Sequence, residues 1–154
     1  MSPITIRRAT VTDLGDMVRL LADDELGRAR EDTSPTLNPQ YVAAFHAIDV
    51  EPHQLLVVLE QHEHVIGCLQ LSFFRALSRL GALRGQIEGV RIDSVYRGNG
   101  FGRAMIQWSI AECRRRGCGS VQLTTDKSRL RALRFYQSLG FVASHEGMKF
   151  DLSR

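Results

Sequence analysis

A glycine-rich stretch in the second half of the chain, Arg97-Gly98-Asn99-Gly100-Phe101-Gly102, most constrains how this chain can fold. An apolar, strand-like run over residues 87–92 precedes it, and a helical pattern of apolar residues follows it, formed by Phe101, Ala104, Met105, Trp108 and Ala111. The first amides of a helix have no acceptor inside the helix, and glycines let the backbone come close to a ligand. Strand, glycine loop and helix in this order predict an anion site, which suits the phosphate of a cofactor.

The spacing of the glycines narrows the class of cofactor. A dinucleotide-binding loop requires a third glycine where this chain has Arg103, and a nucleotide P-loop requires Gly-Lys-Ser or Gly-Lys-Thr, which the sequence lacks. The pattern present, R-x-x-G-x-G starting at Arg97, resembles the acetyl-CoA loop of the GNAT superfamily of N-acetyltransferases. Taken alone, the loop is also compatible with a plain turn between a strand and a helix.

A second motif near the C-terminus resembles the same family. GNAT chains typically carry A-x-x-F-Y-x-x-L-G-F in the last helix and turn, and the sequence from Ala132 to Phe141 fits that pattern, with Gly140 as the predicted helix C-cap. Many relatives have an asparagine seven residues before the tyrosine, where it contacts the pantetheine arm. Arg129 stands there in this chain, so that Arg129 either reaches a phosphate or faces solvent.

Apolar periodicity and turn residues predict elements in the order β-α-α-β-β-β-α-β-α-β. Strands are expected over residues 4–9, 54–60, 64–73, 86–93 and 120–125, with one or two more over residues 141–151. Helices are expected between the N-cap Thr10 and Gly27, with Leu14, Met17, Val18 and Leu21 on the inner face, and over residues 39–48, 102–116 and 128–139. This order predicts an α/β fold, a GNAT-like mixed sheet with helices on both faces, in a single domain of residues 1–154.

Composition limits the partners that the sequence predicts. The chain has 154 residues, 44% of them hydrophobic, and a net charge of +3, which is too small to indicate nucleic acid. The basic run at residues 114–116 is expected to be a solvated helix end. We find no signal peptide and no membrane-spanning run, and three cysteines fit reduced thiols, so the expected location is cytoplasmic, with no membrane partner. His62-Glu63-His64 is expected at a hairpin tip rather than in a metal site, so no metal is predicted.

The resemblance to GNAT enzymes implies acetyl-CoA as cosubstrate and assigns most of the site. The pyrophosphate would be held by the amides of Arg97, Gly98, Asn99, Gly100, Phe101 and Gly102, with Arg103 as a further candidate. The strand around Val90, Arg91 and Ile92 would pair with the pantetheine, and the amide of Ile92 would bind the thioester oxygen. Tyr136 would protonate the coenzyme A thiolate; the alternative is a packed core aromatic.

The sequence says less about the catalytic base and the acceptor substrate than about the coenzyme site. Glu88 lies two residues before Val90, on the same side of a regular strand, where relatives often place a catalytic glutamate. It is either a base acting through water or a solvent-facing or ion-paired residue, and His145 is a weaker alternative. The acidic runs at residues 23–25 and 31–32 fall where this superfamily forms the acceptor-site wall, so they either attract a cationic amine or are a solvated acidic face.

Together these features predict direct acetyl transfer to a primary amine in a ternary complex. The acceptor is a small molecule, a peptide N-terminus or a protein lysine, and a homodimer is left open. A coenzyme-A-binding regulatory or sensor module without turnover is the alternative function.

Overall fold

A five-stranded sheet with its strands in the order β1-β2-β3-β4-β5 is the framework of the fold. The structure is a computed structural model that describes residues 3–153, and its two compact units are Met1–Gln122 and Leu123–Arg154. The strands are β1 (Ile4–Arg8), β2 (Gln54–Gln61), β3 (His64–Arg75), β4 (Leu83–Ile92) and β5 (Ser120–Leu123). The helices are α1 (Leu14–Leu21), α2 (Glu25–Arg28), α3 (Pro39–Asp49), α4 (Ser78–Gly81), α5 (Phe101–Arg115) and α6 (Leu130–Ser138).

The first four strands pair antiparallel with their neighbours. The hairpin between β2 and β3 turns at His62 and Glu63, which have φ angles of 49° and 62°, so the predicted hairpin tip is confirmed. The predicted α/β fold with a mixed sheet is also confirmed. None of the helices in residues 3–153 is long and apolar enough to span a bilayer.

One face of the sheet packs against α1 and α3. Val58 of β2 lies opposite Cys68 of β3, and both are fully buried in one apolar cluster. The helices contribute Leu14, Met17, Val18, Leu20 and Phe45 to that cluster. The inner face predicted for α1 is therefore confirmed except at its end, where Leu20 is buried and Leu21 only partly so.

A charged cluster attaches the start of α1 to the sheet. Asp13 accepts hydrogen bonds from Nη1 and Nη2 of Arg7 at 2.8 and 3.0 Å, and Nη2 of Arg7 also donates to Glu60 at 2.7 Å. The Asp13 carboxylate also accepts from the amide of Thr10 at 2.7 Å, so the predicted N-cap Thr10 forms a capping box with Asp13. The bonds from Arg7 hold the pKa of Asp13 below its ordinary value, against the effect of burial and with help from Thr10.

The other face of the sheet packs against α5, and two glycines make room for that helix. A Cβ atom at Gly85 would lie closer than 3.0 Å to Sγ of Cys113, and one at Gly67 would lie 3.0 Å from Sδ of Met105. Both partner side chains are fully buried. The sheet and α5 therefore approach each other more closely at these two positions than side chains on the strands would allow.

This close approach determines which residues of α5 are buried. The buried residues are Phe101, Met105, Ile106, Ser109 and Cys113. Of the predicted inner face, Ala111 is exposed and Trp108 is only half-buried. The buried residues Met105, Ser109 and Cys113 follow one another at steps of four, and the first and last of them lie over Gly67 and Gly85.

The first helix is shorter than predicted, because a separate helix begins before Gly27. α1 ends at Leu21, and Oδ1 of Asp24 caps α2 by accepting from the amide of Gly27 at 2.6 Å. Gly27 is buried inside α2, where a Cβ atom would overlap the carbonyl group of Leu21. Close packing, rather than the end of a helix, accounts for this glycine.

The connection between β3 and β4 is also shorter than expected from the predicted strands over residues 64–73 and 86–93. β3 continues to Arg75 and β4 begins at Leu83. The connecting turn, labelled α4 above, contains three consecutive residues in the left-handed region, Arg79, Leu80 and Gly81, with φ angles of 56°, 59° and 71°, so it is not a regular helix. Two of the three residues are not glycine, so the sequence gives only a weak turn signal here.

The final strand of the predicted order is absent from the described residues, so that part of the prediction is wrong. Residues 141–153 form no strand, and their recorded backbone bonds are local, as in the donation from the amide of Ser144 to the carbonyl of Val142 at 2.9 Å. A strand needs a neighbour for its backbone N–H and C=O groups. Within the described residues, the backbone groups of this segment pair with no strand of the sheet.

Candidate active site

The predicted glycine loop joins a 3-10 turn, Ser94–Tyr96, to the first turn of α5. Gly98 and Gly100 have φ angles of +84° and +83°, in the left-handed region that glycine adopts at little cost. A Cβ atom at either position would meet no protein atom within 4 Å. The backbone conformation, and not a lack of space, is therefore what requires glycine here.

The backbone amides of this loop are available to a ligand. Among residues 3–153, no protein group accepts a hydrogen bond from the amides of Gly98, Asn99 or Gly100, and no side chain caps the start of α5. The first amides of α5 lie at the positive end of the helix dipole, and the exposed Arg103 is in the same turn. These groups fit a phosphate-bearing ligand such as a coenzyme.

Asp23, in the turn after α1, anchors the entrance of the loop. Nη2 of Arg97 donates to both the carbonyl oxygen and Oδ2 of Asp23 at 2.9 Å, and Nε of Arg97 donates to the carbonyl oxygen of Ile92 at 2.9 Å. Oδ2 of Asp23 also accepts from the amide of Ser94 at 3.0 Å. The amide of Arg97 itself donates to the carbonyl of Ser94 at 3.4 Å. Arg97 is thus held at the end of β4 by its side chain and its backbone.

The anchoring role of Asp23 could not be found from the sequence. Asp23 and Arg97 lie 74 residues apart in the chain, and no motif links an aspartate after the first helix to the arginine of the loop. The acidic run that contains Asp23 indicates an acceptor-site wall or a solvated face, and neither interpretation predicts this contact.

A β-bulge at Gly89 corrects the predicted side of Glu88. Glu88 and Arg91 lie opposite two β3 residues that are only two positions apart, so β4 carries one extra residue there, and Gly89 has a φ angle of +61°. The extra residue breaks the two-residue alternation, which places Glu88 on the same face as Arg91 and not on that of Val90. The side chain of Glu88 is exposed, whereas Val90 is half-buried.

Of the other acidic residues predicted at the acceptor side, Asp24, Glu31 and Asp32 have partners within the chain. Oδ2 of Asp24 lies 3.4 Å from Nε of Arg91. The Asp32 carboxylate accepts hydrogen bonds from Ser34 and Asn38, which hold its pKa at about 2. These carboxylates therefore serve first as caps and ion-pair partners of their own segment.

A cleft of about 320 Å³ lies beside the Asp23 anchor, and its lining residues are Arg19, Ala22, Asp23, Arg28, Thr33, Asp93 and Ser94. Nη1 of Arg19 donates to Oδ2 of Asp93 at 2.8 Å. Burial disfavours the charged form of Asp93, but the bonds from Arg19 and from the amide of Val95 hold its pKa below the ordinary value. The cleft thus presents charged groups of both signs next to the turn that leads into the glycine loop.

Tyr136 belongs to the second compact unit and is fixed by the end of α6. The amide of Phe141 donates to the carbonyl of Tyr136 at 3.1 Å, and the amide of Gly140 donates to that of Gln137 at 3.0 Å. This is a Schellman motif with Gly140 at φ +93°, which confirms the predicted C-cap. The half-buried ring of Tyr136 packs against Phe135 and Phe141, with ring centroids 5.2 and 5.9 Å away.

The two remaining predicted residues also lie in this unit. Arg129 is the N-cap residue of α6, and its amide donates to the carbonyl of Asp126 at 2.9 Å. His145 is exposed, and its Nδ1 lies 2.7 Å from Oγ of Ser144. Nowhere in residues 3–153 do three His, Cys, Asp or Glu side chains come together as metal ligands would.

Comparison with known proteins identifies relatives of this chain. A model of the acetyltransferase (GNAT) family matches residues 17–141. The chain is 35% identical over 88 residues to a glucosamine 6-phosphate N-acetyltransferase of Trypanosoma brucei brucei, a match that covers 57% of this chain and 58% of that protein. Matches to further curated relatives cover still smaller shares of those proteins, such as 40% of N-alpha-acetyltransferase 30 of Saccharomyces cerevisiae.

Solved structures resemble the chain over nearly its whole length. A crystal structure of a transcriptional regulator from Bacillus halodurans is 47% identical, with a TM-score of 0.95, and the match covers 97% of this chain and 100% of that one. An acetyltransferase structure from Trypanosoma brucei is 27% identical, with a TM-score of 0.79 and the same coverage of 97% and 100%.

Proposed function

The chain belongs to the GNAT family of acetyltransferases, and on this basis we propose that it transfers the acetyl group of acetyl-CoA to a primary amine while both substrates are bound. The observation that carries the proposal is the glycine loop, with Gly98 and Gly100 in the left-handed conformation and amides without protein acceptors in the described chain. Such a loop at the start of a helix suits the phosphates of a coenzyme.

The first task of the chain is to hold the coenzyme. The pyrophosphate would be bound by the amides of Gly98, Asn99, Gly100, Phe101 and Gly102, with Arg103 adding positive charge. Because the side chain of Arg97 is bound to Asp23 and Ile92, we assign it to the shape of the loop rather than to a phosphate. Arg129 remains a candidate for a second contact with the coenzyme.

The second task is to present the thioester. Acetyl-CoA, when bound, would supply an acetyl group activated as a thioester. Val90, Arg91 and Ile92 would pair with its pantetheine arm as a neighbouring strand does, and the amide of Ile92 would donate to the thioester oxygen as negative charge develops there. The bulge at Gly89 supports this role, since bulges commonly interrupt regular pairing beside binding sites.

The third task is to move two protons. The acceptor nitrogen must lose a proton to become nucleophilic, and Glu88, whose carboxylate is exposed on β4, is our candidate base, acting directly or through water. The thiolate that leaves when the new C–N bond forms must gain a proton, and Tyr136 is our candidate acid. The proton balance then closes, because the nitrogen loses one proton before it attacks and a second as the amide forms; one of the two is replaced on the sulfur through Tyr136, and the other passes through Glu88 to solvent.

The cofactor site is tested by thermal unfolding with acetyl-CoA. A ligand at 100 times its Kd stabilises the folded state by about 2.7 kcal/mol, which raises Tm by about 5–10 °C in a chain of this size. We expect Gly100→Asp to abolish this shift, since a carboxylate would stand where the phosphates bind. Gly81→Asp is the control, because Gly81 also has a positive φ, +71°, but lies in the β3–β4 turn. Equal shifts in the two variants would refute the loop assignment.

Activity is tested by coenzyme A release with a panel of amines, including an amino sugar phosphate and a peptide α-amine. The cleft with charges of both signs supports a polar acceptor. Release with at least one amine is expected. Binding of acetyl-CoA without release for any amine would favour the sensor function instead.

The role of Glu88 is tested by Glu88→Gln. If Glu88 is the base, the substitution lowers kcat/KM most near neutral pH, and the loss shrinks at high pH, where the amine is already free. A loss that is uniform across pH would assign Glu88 to substrate positioning. Activity equal to that of the wild type would remove it from the mechanism and leave water or His145 to take the proton.

A further inference from the structure

Two of the three cysteines of the chain meet where α5 ends. The amide of Gly117, which has a φ angle of +78°, donates to the carbonyl of Arg114 at 3.0 Å, and the amide of Cys118 donates to the carbonyl of Cys113 at 2.9 Å. These two bonds form a Schellman motif, in which the residue after the glycine packs against the residue five positions before it. Both of those residues are cysteines in this chain.

The two thiols are in contact, but they differ in their access to solvent. They share a hydrogen bond. Cys113 is fully buried, with its Sγ over Gly85 of β4, whereas Cys118 is partly exposed. Burial raises the pKa of the Cys113 thiol above its ordinary value, which keeps that thiol protonated. Because oxidants attack accessible sulfur and react with thiolate rather than thiol, Cys118 is the cysteine that an oxidant in solution reaches first.

The surrounding backbone keeps the pair in place. Cys113 belongs to the last turns of α5, and the amide of Gly119 donates to the carbonyl of Leu83 at 2.9 Å, which attaches the residue after Cys118 to the start of β4. A disulfide requires the sulfur atoms to approach to about 2.05 Å, and here side-chain rotation is enough. Cys68 cannot take part, because it is buried in the cluster with α1 and α3 on the other face of the sheet.

We propose that this pair is a reversible oxidation site, in which hydrogen peroxide oxidises Cys118 and Cys113 converts the product to a disulfide. In the first step the Cys118 sulfur attacks one peroxide oxygen, the O–O bond breaks, and a sulfenic acid and one water form. In the second step the Cys113 sulfur attacks the Cys118 sulfur, the S–O bond breaks, and hydroxide leaves with the thiol proton as a second water. Two thiols are thereby oxidised and one peroxide is reduced. This chemistry does not depend on the proposed acetyl transfer.

The pair stops oxidation at a stage that can be reversed. An exposed sulfenic acid without a neighbouring thiol is oxidised further to sulfinic acid, which ordinary thiols do not reduce. A disulfide is instead returned to two thiols by thiol–disulfide exchange. Cys113 therefore protects Cys118, and the buried end of α5, from permanent modification.

The first experiment treats the full-length protein with hydrogen peroxide and then labels the remaining thiols with N-ethylmaleimide in denaturant. The reduced chain should take up one maleimide on each of its three cysteines, and the oxidised chain should take up one, on Cys68. Dithiothreitol before labelling should restore all three. Trypsin cuts between the two cysteines at the arginines of residues 114–116, so the disulfide should join the peptide that ends at Arg114 to the peptide that begins at Gly117.

The second experiment compares variants at the same peroxide dose. Cys113→Ala should accumulate sulfinic acid on Cys118 at least about tenfold more than the wild type, because the resolving thiol is missing. Cys68→Ala is the matched control, since it removes a buried cysteine on the other face of the sheet and should behave as the wild type does. Cys118→Ala changes only a partly exposed side chain, and its two remaining cysteines should both stay open to the maleimide.

Three results would overturn the proposal. One is a wild type that keeps three free thiols at peroxide concentrations that oxidise Cys118 in Cys113→Ala. Another is a disulfide that joins two chains through Cys118, seen as a doubled mass on a non-reducing gel. The third is an equal amount of sulfinic acid on Cys118 in the wild type and in Cys113→Ala, which would mean that Cys113 does not resolve the sulfenic acid.

Discussion

Replacing Gly85 by alanine tests the close packing of the sheet on α5. The new Cβ atom would lie closer than 3.0 Å to Sγ of Cys113, where apolar atoms normally stay about 3.5–4.0 Å apart. Cys113 is fully buried, so neither α5 nor the strand can move without disturbing the core. Overpacking of this kind costs about 1–3 kcal/mol. A middle value of about 2 kcal/mol corresponds to a Tm lowered by about 4–8 °C.

The assay is chemical unfolding of four proteins: wild type, Gly85→Ala, Cys113→Ala and the double variant. Without Sγ, the nearest contact of the new methyl group is Cβ of Cys113 at 3.6 Å, an ordinary distance. The double variant should therefore be more stable than the sum of the two single destabilisations predicts, by about 1 kcal/mol or more.

Gly15→Ala is the matched control. Gly15 is exposed in α1 with no atom near a new Cβ, so alanine should stabilise the protein by about 0.5–1 kcal/mol. Additive single effects, or a Gly85→Ala variant as stable as the wild type, would refute the packing argument.

Two further predictions concern chemistry and pH. Tyr136→Phe should lower kcat at least tenfold with acetyl-CoA affinity nearly unchanged, since general acid catalysis is worth ~100- to 10,000-fold; unchanged turnover in the release assay would make Tyr136 a packing residue. Asp13→Asn should destabilise the protein by about 2 kcal/mol at pH 7, because the bonds from Arg7 to a carboxylate are lost. The pKa of Asp13 is lowered by folding, so its contribution is present above pH ~4 and is lost at lower pH. Urea unfolding of both proteins should therefore give converging stabilities as the pH falls below 4, and a gap that stays constant would contradict this.

Apart from the short segments α2 and α4, the order of elements up to α6 could be predicted because local signals carry it. The glycine loop needs left-handed residues at Gly98 and Gly100, and the end of α6 needs one at Gly140; glycine supplies that conformation wherever the neighbours lie. The capping box at Thr10 and the turn at His62 are equally local. In each case the residues that determine the structure are neighbours in the sequence.

The errors of the sequence-based prediction arise where contacts between residues distant in the sequence determine the local structure. Gly27 resembles a helix end, but its lack of a side chain is required by the carbonyl of Leu21. The bulge at Gly89 reverses the face of Glu88, and a single glycine in a strand does not say whether a bulge follows. The strand predicted after Phe141 depends on a neighbour that its own sequence cannot specify. That prediction is wrong in the described chain, where residues 141–153 form no strand.

The contact between Asp23 and Arg97 limits how the connection between α1 and α3 can be redesigned. Arg97 bonds to the backbone carbonyl of Asp23 as well as to its carboxylate, so both the residue and the path of the chain at that point are fixed. A graft that replaces the whole connection would also release the glycine loop from this anchor. Libraries that vary the connection should start after Asp23 and retain it, so that the effects of the varied residues are not confused with a disturbed loop.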